Sequence, residues 1–354
     1  SQGDHPMRPV TGAAIAVLAA AVIWLAPARA GSPAAGGCAF MENAEVNGFM
    51  EVRAGSRIED DSQEERISVM DARLQLDMFT YTDEVDFKFK GDFLADGISD
   101  EGKFDLREAW IFTRAFGGVD LKAGRQVLTW GTGDLVFLND LFPKDWQSFF
   151  IGRDAEYLKA PSDAVKLSLF SDMANVDLVC TPVFDPDRYI TGEYISHWNS
   201  AAGRSTGRDE LPNTDRPDQW FRDHELACRI YRNIDNWELA LYGYSGFWKT
   251  PSGSDGQGRS AFPKLNVYGA SVRGQAGRGI ANLEVAFYDS REDRDGDNPL
   301  VNNSKFRFLA GYARDLGRDL NASLQYYLEH ILDHDAYAAG MDGKPARDEF
   351  RHVI

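Results

Sequence analysis

Between Ile67 and Ala95 the chain alternates apolar and charged residues one for one, in two successive runs. In the first, Ala72, Leu74, Leu76 and Met78 share one parity, and Asp71, Arg73, Gln75 and Asp77 share the other. In the second, Phe87, Phe89 and Phe93 oppose Asp86, Lys88, Lys90 and Asp92. Successive side chains of a strand point to opposite sides of a sheet, so this period of two predicts an antiparallel hairpin turned at Thr82-Asp83-Glu84. One face of the hairpin is apolar and the other is charged.

Two architectures use such a sheet. A soluble β-sandwich buries the apolar faces in a dry core and wets the charged ones. A transmembrane barrel reverses this, with apolar rows toward lipid and charged rows around a wet lumen. The rest of the chain repeats the pattern. Val165, Leu167 and Leu169 oppose Lys166 and Ser168, and Leu226, Cys228 and Ile230 oppose Glu225 and Arg229. Phe306, Phe308, Ala310 and Tyr312 oppose Lys305 and Arg307, while Leu324, Tyr326 and Leu328 oppose Ser323, Gln325 and Glu329. Connections alternate in kind. T-D-E, F-G-G, D-M-A-N, D-N, G-R-G and G-R-D are short, and the intervening ones are longer and mostly acidic. A barrel with tight turns at one rim and long loops at the other keeps such an alternation, and a sandwich has no reason to.

The expected fold class is therefore all-β, an antiparallel up-and-down transmembrane β-barrel with about 13–14 strands in view. Bacterial barrels use even numbers, and the chain stops at E-F-R-H-V-I as another strand begins, so about sixteen strands are expected when it is complete. Two places resist the scheme. Glu108 shares a face with Trp110 and Phe112, and Arg125 falls with Val127 unless a bulge at Gly124 turns it toward the lumen, which is the expectation adopted.

The 354 residues suffice for one large barrel, and a formal charge of -17 excludes nucleic acid, whose phosphates require clustered Lys and Arg. Residues 1–6 read as upstream sequence. Residues 7–30 read as a secretory signal peptide, with Met7-Arg8, an apolar run from Ala13 to Leu25, and an Ala28-Arg29-Ala30 cleavage site. Residues 31–44 are then a periplasmic tail and 45–354 the barrel. No other run is long enough for a transmembrane helix, so membrane residence would require a closed barrel. Cys38, Cys180 and Cys228 are odd in number. Cys180 and Cys228 read as small residues on outer faces, with a disulfide between them as the other option.

Trp130 to Asp163 form a connection far longer than a hairpin needs, rich in aromatics and charge, and long ordered loops of this kind carry function. With L-R-E-A-W at Leu106 to Trp110 and G-R-Q-V-L-T-W-G at Gly124 to Gly131, the chain resembles outer-membrane porins, and more narrowly the barrels related to alginate-export proteins. That resemblance implies an inward-folded third loop that narrows the pore, with wall bases facing loop acids. The wall would be Arg73, Lys88, Lys90, Arg107, Lys122 and Arg125. The loop acids would be Asp134, Asp140, Asp145, Asp154 and Glu156. It also implies residence in the outer membrane among lipid and lipopolysaccharide, and a homotrimer.

Other chemistry finds less material. His330 and His334 end a strand without a third ligand, and Arg291 to Asn298 is acidic but lacks the closing glutamate of an EF-hand. No nucleophile with a base is evident, so neither catalysis nor a metal or other cofactor is expected. The sequence reading is a passive diffusion channel for small hydrophilic solutes or ions. The alternatives are a barrel that sheathes or exports a partner, such as a polysaccharide or a cytochrome, and a secreted β-sandwich enzyme.

Overall fold

The period-two runs are strands. The structure, a computed structural model, describes residues 43–133, 135–199, 203–341 and 346–354. The signal peptide, most of the 31–44 tail, Cys38 and Asp134 lie outside the described residues. The first five strands are β1 (Glu45–Ser56), β2 (Ile67–Tyr81), β3 (Val85–Asp96), β4 (Glu101–Phe116) and β5 (Val119–Val127). After a long connection come β6 (Pro161–Leu169) and β7 (Asn175–Thr181), then three short strands, β8 (His197–Asn199), β9 (Arg204–Thr206) and β10 (Thr214–Asp215). They are followed by β11 (Glu225–Ile234), β12 (Trp237–Phe247), the short β13 (Gly253–Ser254) and β14 (Ser260–Ala261), and β15 (Lys264–Ala276). The last are β16 (Gly279–Ser290), β17 (Lys305–Asp315), β18 (Asn321–Ile331) and β19 (Phe350–Val353). Among the described residues two short α-helices, α1 (Trp146–Phe150) and α2 (His334–Gly340), and a 3-10 turn at Ala155–Leu158 lie in connections. No described helix is long and apolar enough to cross a membrane.

Fourteen strands form one sheet in the order β1-β2-β3-β4-β5-β6-β7-β11-β12-β15-β16-β17-β18-β19, so each long strand bonds the next long strand of the chain. This is the all-β, antiparallel, up-and-down class that the alternation predicts, the strand plan of a β-barrel. The remaining strands form sheets of three and two strands. The connections at Thr82–Glu84, Asp235–Asn236 and Gly277-Arg278 are tight, whereas 57–66, 182–224 and 291–304 are long.

The chain divides into two compact units. The first comprises the described part of Ser1–Ile111 with Gln147–Asp154 and Ile190–Leu211. In it β1 pairs β2 with Arg53 opposite Asp71 and Glu51 opposite Arg73, and β2 pairs β3 with Gln75 opposite Asp92. These polar residues share the buried face, where Asp71, Arg73, Gln75, Asp92 and Asp96 are all enclosed, and Met50, Val52, Met78, Phe93 and Phe104 are exposed on the other.

The second unit comprises Phe112–Trp146, Ala155–Tyr189 and Pro212–Ile354. Its outer face exposes Val165, Leu178, Leu226, Leu239, Leu241, Leu283, Phe306 and Leu324, with Leu241 59% and Leu324 66% exposed. Its inner face is enclosed but mixed. Ala240, Tyr242, Tyr244, Val267, Ala286, Tyr288, Leu309 and Tyr327 pack there beside buried Asp177, Glu225, Glu284, Lys305 and Glu329. The apolar share of this face is covered by the connection after β5, whose Leu138 joins Leu265, Tyr288 and Leu309 in one cluster and whose Trp130 and Phe142 join Tyr242 in another.

One expectation about register is corrected here. No bulge occurs at Gly124 in the β5–β6 pairing, which runs unbroken from Val119 opposite Leu169 to Val127 opposite Pro161, although Gly124 has φ +122°. Arg125 therefore stays on the parity of exposed Val165, and its charge is met by Asp163 directly across, 3.0 Å away. A counter-charge on the next strand removes the need to turn the arginine inward. Glu108 similarly keeps the parity of exposed Phe104 and accepts a 2.6 Å bond from the Trp110 indole. Cys180 and Cys228 are free thiols on the outward parity, each paired with a leucine rather than with the other.

Candidate functional site

In the first unit the enclosed face carries a linked row of charges. The Arg53 guanidinium holds Asp71 in a two-pronged bond, Nε to Oδ1 at 3.0 Å and Nη2 to Oδ2 at 2.5 Å, and Arg153 stands 3.8 Å from the same carboxylate. Arg73 donates to Glu51 at 2.6 Å and lies 3.7 Å from Asp92, which accepts from Gln75 at 2.8 Å. Lys88 pairs with Asp77. Tyr194, on the connection after β7, donates to Asp96; burial and that carboxylate together raise the phenol's pKa, so it remains a donor. Such density of charge on an enclosed face requires pairing or water, because an unpaired buried ion costs several kcal/mol.

In the second unit the connection after β5 is pinned to the sheet at its start. Trp130 packs edge-on to Phe142, ring centroids 4.9 Å apart. Gly131 then turns with φ +78°, its position 3.1 Å from the Glu284 carboxylate for any added Cβ, so glycine is required there. The turn aims two backbone N–H groups, those of Thr132 and Gly133, at Glu284 Oε1, and Asn139 Nδ2 donates to Oε2 at 2.9 Å. Asn282 grips Thr132 from the neighbouring strand position at 3.0 and 3.2 Å, and the Tyr288 hydroxyl donates to the Leu138 carbonyl at 2.6 Å. The W-G-T-G run thus closes on a carboxylate of β16 more than 150 residues away in sequence.

Further along, Asp140 accepts from the Thr129 hydroxyl at 2.8 Å and pairs with Lys144 at 3.0 Å. The Lys144 amide and the Trp146 indole donate to Asp187 at 2.8 and 3.1 Å. Burial pushes the Asp187 carboxyl above its ordinary range, against the pull of Lys144. Asp145 pairs with Arg188 at 3.2 Å. Beside this segment lies an open cavity of about 530 Å³, lined by Phe137, Leu141 and Lys144 on the connection and by Trp248, Tyr288, Lys305, Arg307 and Glu329 on the sheet side. Glu329 is shared by Lys305 at 3.2 Å and Arg307 at 3.1 Å, and the Arg307 guanidinium lies 4.0 Å from the Tyr288 ring centroid.

The residues singled out by sequence are thus distributed over two units. Arg73, Lys88, Lys90, Arg107 and Asp154 belong to the first, and Lys122, Arg125, Asp140, Asp145 and Glu156 to the second. Arg73 and Arg107 are buried, Lys88, Lys90 and Lys122 are half-buried, and Asp154 and Glu156 are exposed. Asp140 and Asp145 pair with bases of their own unit, Lys144 and Arg188. In both units a carboxylate of the sheet also faces donors of the connection. Asp71 has the Arg153 guanidinium 3.8 Å away in the first unit, and Glu284 accepts from backbone amides and Asn139 in the second. Lys305, Arg307, Glu329, Glu284, Lys144 and Trp248 were not singled out as site residues. Inward parity was legible for Lys305, Arg307 and Glu329, but their convergence was not.

His330 stacks on Phe350 at 4.4 Å, and the His334 ring bonds the Arg347 carbonyl at 2.8 Å, so the two do not converge on a common point. No group of three or more metal-ligating side chains occurs among the described residues.

No family model matches the chain, and no curated protein sequence matches it. Similar solved structures include a loop L8 deletion mutant of OmpT, an outer membrane protein of Vibrio cholerae. It is 12% identical over 82% of this chain and 83% of that one, with a TM-score of 0.44. They also include Salmonella typhi OmpF in complex with daunomycin, 7% identical over 87% and 81%, TM-score 0.42. An anion-selective porin from Comamonas acidovorans is 10% identical over 81% and 89%, TM-score 0.34. The all-β, up-and-down architecture stands on the strand order and register themselves.

Proposed function

We propose that this chain is an outer-membrane porin, a passive diffusion channel for small hydrophilic solutes or ions, narrowed by the long connection between β5 and β6. The observation that carries this reading is the inversion of the sheet's faces. Leucines such as Leu241 and Leu324 stand exposed on one side, while Asp71, Arg73, Glu284 and Lys305 are enclosed on the other. A soluble sandwich covers its apolar face with a second sheet, whereas lipid is the environment in which an uncovered apolar face is stable. Export through the signal peptide at 7–30, residence beside lipid and lipopolysaccharide, and trimeric assembly belong to the same reading. The narrower relation to alginate-export barrels rests on L-R-E-A-W and G-R-Q-V-L-T-W-G alone. On this reading transport needs neither a reaction nor a cofactor.

The test is reconstitution of the full-length protein in a planar bilayer under a salt gradient. Discrete conductance steps with a defined reversal potential are expected. A protein that inserts yet stays silent until a partner is supplied belongs to the sheath class, and a protein recovered from the soluble periplasmic fraction is not a channel.

A further inference from the structure

The cavity of the second unit is set apart from the rest of the molecule by its charge. Against a whole-chain balance of -17, six bases line it, Lys305, Arg307 and Lys144 among them, and only three acids, Asp140, Asp187 and Glu329. Counting Glu225, which holds the lining Lys249 from behind at 2.5 Å, still leaves the bases in excess. Two buried donors on its wall have no acceptor among the described residues, the indole Nε1 of Trp248 and Nε of Arg307, and Trp248 as a whole is 5% exposed. Enclosed donors left unmet are costly, and an arriving oxygen acceptor recovers that cost. Apolar side chains line it as well, Phe137 and Leu141 from the connection and Leu265 from the sheet. A cavity of about 530 Å³ lies within the size range of small-molecule sites.

We propose that this cavity is a selectivity subsite for a small aromatic carboxylate, its carboxyl group on Arg307 and the Trp248 N–H, and its ring against Phe137 and Leu141. Both kinds of lining are then used. An inorganic oxyanion leaves the apolar side chains uncovered, and a neutral aromatic leaves the excess of bases without a counter-charge. The ring faces of Trp248 and Tyr288 already carry Lys305 and Arg307 at 5.8 and 4.0 Å, which holds the cations in place for an incoming anion. The assignment rests on the channel reading only for the route by which the solute arrives.

The test is calorimetric titration of the detergent-solubilised full-length protein at low salt with benzoate, benzamide and inorganic phosphate. Benzoate is expected to bind at least tenfold more tightly than either of the others. Trp248→Phe, which keeps the ring and removes the donor, weakens benzoate about tenfold, as loss of a hydrogen bond to a charged group does. Arg278→Gln, in the tight turn between β15 and β16, leaves benzoate binding unchanged. Equal binding of benzoate and benzamide, or an unaltered Trp248→Phe protein, overturns the subsite, and phosphate binding as tightly as benzoate overturns the aromatic class. Bilayer recordings separate this proposal from the function it serves. A silent protein that still binds benzoate retains the subsite and loses the channel; a conducting protein that does not bind benzoate does the reverse.

Discussion

At the scale of single residues, Glu284 determines where the connection after β5 lies. It is 1% exposed and accepts from two backbone amides and one side-chain amide. Glu284→Gln keeps the shape but swaps an acceptor for a donor facing donors, at a cost of roughly 1.5–3 kcal/mol. We expect the variant to fold with a loosened connection, seen as faster proteolysis within residues 128–160. Gly269 acts on the same contact from below: a Cβ there would meet Asn139 Oδ1 at 1.7 Å, so Gly269→Ala displaces Asn139 and costs about 1–3 kcal/mol. Asp187 supplies a pH dependence. Its folded pKa lies above the ordinary 3.8, so the native state holds the proton more tightly than the unfolded chain. Stability therefore falls as pH rises from about 3.8 through the raised value, and is flat above it. Asp187→Asn should remove that slope from thermal melts recorded as a function of pH.

At the scale of elements, the strands were legible because a two-residue period admits only one assignment of faces. Phe93, Leu226, Leu283 and Leu324 are exposed and Asp92, Glu225 and Glu284 enclosed, on the parities the sequence dictates. Arg125 was misjudged because parity gives the face of a residue but not its cross-strand neighbour, and Asp163 supplies the counter-charge. The two faces give a sharp test. Leu241 lies mid-strand in β12 and is 59% exposed. If that face meets hydrocarbon, Leu241→Arg costs about 2–4 kcal/mol, whereas on a water-facing surface the same change lies within about 0.5 kcal/mol. Denaturant titration of the folded protein in lipid vesicles distinguishes the two values.

At the scale of the whole molecule, the alternation, the short and long connections and the single fourteen-stranded order point to one architecture. The sequence determined the strands, their parity and the strand plan, because period and turn chemistry are local properties that each segment carries by itself. It also singled out 130–163 as an unusually long connection, from length and composition. Only the tertiary structure decided what that connection touches. Thr132 meets Glu284, Leu138 meets Tyr288, and Lys144 meets Asp187, across separations of roughly 40 to 150 residues. Contacts at such distances arise from how the sheet and its connections pack, and no local pattern encodes them. For the same reason the excess of bases around Trp248 and Arg307 was hidden in an acidic chain: net charge sums over every residue, whereas a cavity draws only on those that folding brings to its wall.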